Sequence, residues 1–431
     1  MKPPKRSAKA PSRQEILGAV LHQPTAARLR QLDRLIAANR RDHEALLVRS
    51  YHRWSRQGDA SGAEKDLKAV LSARADDVSA LANLAEIYRR TGRRAEAMET
   101  AEACLAQAPS HLGALNTRVR VDPGSVSEDL LARLCDLAAR AEKPSEAAGL
   151  HNLLGVAQEA RGDYASAFRS FTESNRRHPD RYDRAMHDKR LAFYRRVFTP
   201  DFVARLQGAP AAEKPPVLIV GPPRSGTTLV EQMALGDPQF ASCGESPALE
   251  RFAAQVSGAI STAPHAFNAE AAGRFSEAYR TQIAAEVPGG ARGRRVVDKM
   301  PQNFMHLGFA LVSMPNAAVA HTVRHPLATL TSCYRQSFVR GGGFSNSVDA
   351  LAHFFGVYVA FMRLWRELFS ARIADVVYER LASEPEPQSK RLLAAIGGAW
   401  RPECLGGEGA GRMIRTSSAG QADRAVYDSS I

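Results

Sequence analysis

The fold is decided by the stretch PPVLIVGPPRSGTTLVEQM, residues 215–233. Its apolar run Val217–Val220 is bounded by proline and glycine, which predicts a short buried strand. A helix is expected to continue from Leu229 to Leu235, since an Asp-Pro pair follows and ends it. The loop between them is glycine-bounded. A strand, a loop and a helix start in this order direct backbone N–H groups and the helix N-terminus at a phosphate.

Residues 221–228 have the spacing of a Walker A loop, with Thr227 in the position of the lysine. Without that lysine, the loop lacks the cation that reaches the outer phosphates of a nucleoside triphosphate, which disfavours a nucleotide kinase. Arg224 supplies a cation from within the loop, and a guanidinium suits bidentate contact with an oxyanion. We therefore expect a phosphate-like ligand other than ATP or GTP. The alternative is a Gly/Pro turn with a surface arginine.

The segment PRSGTT, residues 223–228, resembles the 5′-phosphosulfate loop of the sulfotransferases. It is most similar to the tyrosylprotein sulfotransferase branch and to bacterial sulfotransferases that carry tetratricopeptide repeats, and the resemblance covers essentially the whole chain. It implies that the sulfuryl donor is 3′-phosphoadenosine 5′-phosphosulfate (PAPS) and that 3′,5′-ADP is the product. The donor-binding residues that it implies in this loop are Pro223, Arg224, Ser225, Gly226, Thr227 and Thr228.

The composition is that of a globular protein of 431 residues, enough for about two or three domains. The five cysteines are scattered and form no C-x-x-C pair, so neither a disulfide framework nor a metal site is indicated. A reducing compartment is the simplest setting. The sequence has no signal-peptide pattern and no run of about eighteen apolar residues, which predicts a cytoplasmic protein without a membrane span.

The net charge is +13. An excess of basic residues is compatible with binding to nucleic acid, and equally with binding to a multiply anionic cofactor and an acidic acceptor. The sequence shows no zinc-finger spacing, no basic-region zipper and no aromatic residues interleaved with a basic run. We therefore expect no nucleic-acid partner.

Residues 14–190 are predicted to form a helical solenoid of tetratricopeptide repeats, after a disordered basic tail at residues 1–13. Gly58 and Gly92 lie 34 positions apart, and Gly162 follows after about two further periods. Small and large residues recur around each glycine and are interpreted as packing positions, while exposed positions on a concave face could bind a peptide. The recurring positions are Leu47, Trp54, Ala63, Leu67 and Val70; Leu81, Leu84, Ala85, Tyr88, Ala97, Ala101 and Cys104; and Leu154, Gly155, Ala167, Phe171 and Ser174.

Two charged residues after the loop are candidates for the chemistry. Glu245 follows a Cys-Gly pair, and the resemblance implies that it is the base that accepts the acceptor's hydroxyl proton. Lys299 follows a predicted strand and lies in the family's Lys-x-Pro pattern. With Arg224, it would stabilise the charge that develops on the leaving phosphate and the sulfuryl oxygens. The alternatives are a solvated loop carboxylate and a solvated lysine at a strand end.

A second motif begins where the predicted strand 317–323 ends. Arg324 leaves that strand and Ser332 follows eight positions later, which is the spacing of the family's 3′-phosphate motif. An Arg fork with a hydroxyl donor suits a dianionic phosphate. Tyr378 matches the tyrosine that lies near the adenine nucleotide in the family, whereas His325 is not expected to be catalytic.

The last segment resembles the family's closing region, in which Ser418 aligns with a serine that stabilises the transferred group. Related enzymes continue with a Gly-x-Trp element that closes over the 3′-phosphate. The present sequence ends at Ile431 without it, which places cofactor affinity and turnover in question.

The sequence thus predicts an N-terminal α-helical tetratricopeptide solenoid and, over residues 191–431, a P-loop-like α/β sulfotransferase domain with a mainly parallel sheet. The predicted function is transfer of the sulfuryl group of PAPS to an acceptor hydroxyl, with a peptide tyrosine as the first candidate. The alternatives are a carbohydrate or small-molecule acceptor, or a non-catalytic repeat scaffold with a degenerate nucleotide fold. A peptide or protein acceptor bound through the repeats and a homodimer are the hypotheses for partners.

Overall fold

A computed structural model of the protein describes residues 12–22, 26–206, 208–263, 265, 267–338 and 341–405. The chain divides into two compact units, Met1–Ser127 and Glu128–Ile431. The division lies before the last clear repeat, whereas the sequence suggested a boundary near residue 190. The predicted domain boundary near residue 190 stays a prediction. A helical repeat can share the sequence pattern of the first unit and still pack with the second.

The first unit is entirely helical over its described residues. Gly58 and Gly92 adopt positive φ angles of 73° and 79° at the turns that separate successive helices, a conformation that glycine adopts without strain. Its helices are α1 (Arg13–His22), α2 (Ala26–Ala38), α3 (His43–His52, continued by a π-helical turn Arg53–Gln57), α4 (Ala60–Ala73), α5 (Val78–Arg90), α6 (Arg94–Gln107) and α7 (Leu112–Val121).

The predicted packing positions of the first unit form its core. Ala63, Leu67 and Val70 of α4 are fully buried, as are Ala97 and Ala101 of α6. Aspartates cap the N-termini of several helices and fix where they begin. At the start of α5, for example, the Asp77 carboxylate accepts a hydrogen bond from the N–H of Ala80. The prediction of a tetratricopeptide-type helical array is thus confirmed.

The second unit contains helices and five strands. Its helices before the sheet are α8 (Glu128–Arg140), α9 (Pro144–Ala160), α10 (Tyr164–Arg177), α11 (Arg184–Val197) and α12 (Pro200–Arg205). The remaining elements are β1 (Val217–Val220), α13 (Thr227–Leu235), β2 (Phe240–Gly244), α14 (Ala248–Thr262), α15 (Ala269–Glu286), β3 (Arg295–Asp298), α16 (Leu307–Ser313), β4 (Ala318–Val323), α17 (Pro326–Tyr334), α18 (Val348–Phe369), β5 (Ile373–Val377), α19 (Tyr378–Ser383) and α20 (Pro385–Ala395).

The five strands form one sheet in the order β2-β3-β1-β4-β5, and every pair is parallel. All four residues of β1 are buried, because helices cover both faces of the sheet. Val217 and Ile219 face a core that includes α13 and α20, while Leu218 and Val220 face a larger core that includes α16 and α18. The predicted α/β domain with a parallel sheet is confirmed.

Helix α18 is the one helix in the described ranges that is long and apolar enough to cross a membrane by length and composition. A core helix meets the same criteria, and α18 buries Phe361 and Trp365 completely. The Trp365 indole N–H donates to the carbonyl of Phe304 at 2.6 Å. These contacts account for its apolar character as part of the core.

The hairpin of α9 and α10 packs against the end of α17. Gly155 allows the two helices to approach closely, because a Cβ at this position would lie 2.6 Å from the Phe171 ring. Asn152 on α9 donates its amide N–H to the carbonyl of Arg335, and Asn175 on α10 donates to that of Tyr334, both at 2.9 Å. Both asparagines are buried. The carbonyls that α17 cannot satisfy at its own C-terminus are therefore satisfied by the hairpin.

Strand β3 ends on a buried carboxyl, Asp298, which is fully enclosed. Its Oδ2 accepts hydrogen bonds from the Tyr279 hydroxyl at 2.5 Å and from the Asn303 amide at 3.0 Å, while its Oδ1 is buried without a hydrogen-bond partner among the described residues. Burial raises the pKa of Asp298 to about 7, against the opposing effect of these two donors.

We expect Asn175→Ala to lower the free energy of unfolding by about 1–3 kcal/mol, because the carbonyl of Tyr334 would be left buried without its donor. Urea-induced unfolding of the full chain measures the change. Gln255→Ala is the matched control, since it removes an exposed amide from α14. An equal effect of the two substitutions would contradict the role assigned to Asn175.

We expect Asp298→Asn to remove a pH dependence of stability. The raised pKa means that folded Asp298 keeps a proton that the unfolded chain releases, so its contribution to stability falls as the pH rises from about 4 to about 7. The free energy of unfolding of the variant, relative to that of wild type, should therefore rise between pH 5 and pH 8 by on the order of a few kcal/mol.

Thermal unfolding of both proteins at the two pH values tests this prediction about Asp298. Asp201→Asn, which neutralises an exposed carboxyl in α12, serves as the control. A difference between Asp298→Asn and wild type that is the same at pH 5 and pH 8 would show that the carboxyl does not titrate in this range.

Candidate functional site

The candidate site lies at the carboxyl edge of the sheet, because Glu245, Lys299, Arg324 and Tyr378 each directly follow a strand. Gly244 pairs with Asp298, so the next residues, Glu245 and Lys299, are neighbours. Val323 pairs with Val377 in the same way, which brings together Arg324 and Tyr378. The loop 221–226 follows β1, the central strand. In parallel α/β sheets this edge, near the strand where the connections change direction, is the usual place for a ligand.

The phosphate loop is held from within by hydroxyl groups. Ser225 is fully buried, and its hydroxyl donates to the carbonyl of Pro222 at 2.7 Å and lies 2.5 Å from the Thr322 hydroxyl. Thr322 in turn donates to the carbonyl of Val220 at 3.2 Å. The Cys333 thiol donates to the carbonyl of Pro223 at 3.3 Å. Strand β4 and helix α17 therefore both fix the conformation of the loop.

Two glycines of the loop have no room for a side chain. At Gly221, a Cβ would lie 2.3 Å from Oγ1 of Thr322, and at Gly226 it would lie 2.5 Å from the Tyr378 ring. Gly226 has a φ of 101° and precedes the first residue of α13. The first N–H groups of a helix have no partner within the helix, so this close packing directs them toward the edge of the sheet.

The arginines of the two predicted phosphate motifs form one cluster. Arg224, whose φ is 71°, donates from Nε to the hydroxyl of Ser332 at 3.0 Å. Arg324 donates from Nη1 to the carbonyl of Arg224 at 3.0 Å, and its guanidinium lies 4.6 Å from the centre of the Tyr378 ring. The structure thus brings together all four of these predicted residues. Two guanidinium groups and a hydroxyl in one place suit a dianionic phosphate.

A second group contains the predicted catalytic pair. Nζ of Lys299 lies 2.6 Å from Oε1 of Glu245 and 3.8 Å from Oε2 of Glu231. The Lys299 side chain is fully buried, whereas that of Glu245 is 40% exposed and that of Glu231 is 12% exposed. Burial is the main cause of a raised pKa at Glu231, although Lys299 and a hydrogen bond from the Ser242 hydroxyl act in the opposite direction. The accessible carboxylate of the group is therefore Glu245.

The structure locates the remaining predicted residues as well. Thr227 and Thr228 are buried in the first turn of α13. His325 is exposed, and its backbone N–H donates to Oε1 of Glu379 at 2.8 Å, which ties α19 to the start of α17. Ser418 lies outside the described residues, so its predicted role stays a prediction.

The sequence analysis missed two side chains that shape the site. Glu231 lies one turn after Thr227 on α13, and this spacing places both on the same side of a helix, so the helix periodicity could have identified it. Thr322 lies within β4 and carries no motif signal. Its contact with Ser225 depends on the order of the strands, which the sequence alone did not supply.

No group of three or more His, Cys, Asp or Glu side chains that could hold a metal ion occurs in the described part of the chain. The groups that this site offers to a ligand are therefore guanidinium, ammonium, hydroxyl, carboxylate and backbone N–H groups.

Comparison with known proteins gives one curated relative, an uncharacterized protein of Aquifex aeolicus (strain VF5), which is 28% identical over 374 residues. The alignment covers 81% of the present chain and 47% of the relative, so the chain spans about half the length of the curated protein that it matches.

Solved structures to which part of the chain is similar include three sulfotransferases. A sulfotransferase domain from the curacin biosynthetic pathway is 16% identical, with a TM-score of 0.35, and covers 51% of the present chain and 90% of its own. A sulfotransferase domain from the Synechococcus PCC 7002 olefin synthase is 18% identical, with a TM-score of 0.36 and coverages of 51% and 88%. The sulfotransferase STF1 from Mycobacterium tuberculosis H37Rv is 16% identical, with a TM-score of 0.30 and coverages of 65% and 92%.

Two family profiles match separate parts of the chain. Residues 56–118 match the tetratricopeptide repeat, in agreement with the helical array of the first unit. Residues 215–402 match the sulfotransferase family, and this range includes the phosphate loop, the arginine cluster and the Lys299 group. The chain therefore contains one region similar to the tetratricopeptide repeat and a second region similar to the sulfotransferase family.

Proposed function

We propose that the protein is a PAPS-dependent sulfotransferase that transfers a sulfuryl group to the hydroxyl of an acceptor. The observation that carries the proposal is the arrangement at the carboxyl edge of the sheet. There, a phosphate loop, an arginine–serine cluster and a buried lysine beside an exposed carboxylate follow adjacent strands. The match of this region to the sulfotransferase family supports the same reaction class.

The residues of the site fit a donor with two phosphate groups. We assign the 3′-phosphate to Arg324 and Ser332, since a guanidinium fork and a hydroxyl suit a dianion. We assign the 5′-phosphate to the first turn of α13, with the hydroxyls of Thr227 and Thr228. The Ser225 hydroxyl is engaged inside the loop, so its contribution is to hold the loop's shape.

The adenine is expected beside Tyr378, which packs on both Gly226 and Arg324. Arg324 and the loop hold this ring in place at the carboxyl edge of the sheet, where it can contact the base. Arg224 lies between the two phosphate-binding groups through its contact with Ser332.

The reaction that we propose forms one bond and breaks one bond at sulfur. The acceptor oxygen attacks the sulfuryl sulfur, the bond between sulfur and the bridging phosphate oxygen breaks, and 3′,5′-ADP leaves with that electron pair. Glu245 takes the proton of the acceptor hydroxyl, because it is the exposed carboxylate of the group. Lys299 and Arg224 stabilise the negative charge that develops on the leaving oxygen.

The acceptor that we propose first is the phenol of a peptide tyrosine, supported by the resemblance of the phosphate loop and by a repeat region of a type that often binds peptides. A carbohydrate or small-molecule hydroxyl is the alternative acceptor. A cytoplasmic location and a homodimer stay predictions.

We expect Arg324→Ala to weaken binding of 3′,5′-ADP by about tenfold or more, because a charge-assisted contact to phosphate contributes about 1.5–3 kcal/mol. Isothermal titration of the full chain with 3′,5′-ADP measures the change. Arg169→Ala, which removes an exposed arginine from α10, should leave the affinity unchanged.

The same titration separates the enzyme from the scaffold alternative. Wild-type binding that Arg324→Ala weakens supports the nucleotide site, and a screen of acceptors with labelled PAPS follows from it. A wild-type chain that does not bind 3′,5′-ADP would contradict the proposed function and favour the repeats as the functional part.

A further inference from the structure

Glu231 is a carboxylate of the phosphate-loop helix that has no part in the reaction described above. Its Oε2 lies 3.8 Å from Nζ of Lys299, on which Glu245 also converges at 2.6 Å. A single buried ammonium therefore faces two carboxylates, one on α13 and one after β2. The two carboxylates differ in accessibility, since Glu245 is 40% exposed and Glu231 is 12% exposed.

This difference matters for a lysine that is fully buried. An ammonium is costly to bury without an anionic partner. When Glu245 takes the acceptor's proton, it becomes neutral. Lys299 would then lose its nearest anion at the step in which its positive charge is needed on the leaving oxygen.

Glu231 is held beside Lys299 independently of Glu245. Although burial raises the pKa of Glu231, Lys299 and the Ser242 hydroxyl, which donates to Oε1 of Glu231, both favour its charged form. The Ser242 oxygen in turn accepts the N–H of Gly244 at 2.8 Å, directly before Glu245. Ser242 thus connects the carboxylate of α13 to the turn that carries Glu245.

We infer that Glu231 is a positioning residue that holds the Lys299 ammonium in place while Glu245 acts as the base. The inference rests on the proposed function, since it assigns different tasks to two carboxylates of the same site. Glu231 itself does not contact the reacting atoms. Its location on α13 means that the helix that begins at the phosphate loop also orients the lysine.

The test compares Glu231→Gln with wild type in two measurements. The first is titration with 3′,5′-ADP, in which we expect the affinity to change less than about twofold, because the phosphate contacts are intact. The second is the steady-state transfer from labelled PAPS to a random copolymer of glutamate and tyrosine, with release of free sulfate recorded as transfer to water. We expect kcat to fall by about tenfold or more, while KM for PAPS stays within about twofold.

Two further variants make the test specific. Glu250→Gln replaces an exposed carboxylate at the start of α14 and should leave kcat unchanged. Ser242→Ala retains the Glu231 charge but removes its hydroxyl donor, and we expect a smaller fall in kcat than for Glu231→Gln.

The outcomes separate this inference from the proposed function. A wild-type chain that transfers sulfate, with kcat equal in wild type and Glu231→Gln, overturns the inference and leaves the function in place. A fall in 3′,5′-ADP affinity that parallels the fall in kcat would overturn it as well, since Glu231 would then only support the fold of the loop. A wild-type chain that neither binds 3′,5′-ADP nor releases product overturns the proposed function and this inference together.

Discussion

Five strands that run in one direction impose the arrangement of this protein's candidate site. The carboxyl ends of parallel strands lie at one edge of the sheet, so the residues that follow the strands are brought close together there. The paired register makes Glu245 the neighbour of Lys299 and Arg324 the neighbour of Tyr378. Buried apolar residues on both faces of the sheet fix that register, since a shift by one residue would turn every strand side chain to the other face.

The charges at this edge are separated into two groups, one on each side of the central strand. The arginine cluster lies toward β4, and it combines two guanidinium groups with the hydroxyl of Ser332. The lysine group lies toward β2, and it combines one cation with two carboxylates. Such a division suits a ligand whose phosphates bind on one side while a proton is transferred on the other. The loop between the groups is held by Ser225 and Thr322, so it can contact both without deforming.

The sequence predicted the part of this site that depends on local pattern. A strand, a glycine-bounded loop and a helix can be read along the chain, and the structure has each at the predicted place. The pairing of Glu245 with Lys299 was not accessible in the same way, because the two residues are far apart in sequence and only the strand order joins them. The inward direction of the Ser225 hydroxyl likewise depends on Thr322 of another strand. The repeat period predicted helices correctly, but it could not show that α9 and α10 pack on the end of α17.

The docking of α9 and α10 has a consequence for how such proteins diversify. Two asparagine amides from a repeat hairpin donate to the carbonyls at the end of the helix that carries Ser332, so this hairpin is structurally part of the second unit. The repeats upstream of it belong to a separate compact unit. Lineages could therefore lengthen, shorten or exchange the upstream array without altering these two hydrogen bonds, whereas a change in the last hairpin would act directly on the helix that carries Ser332.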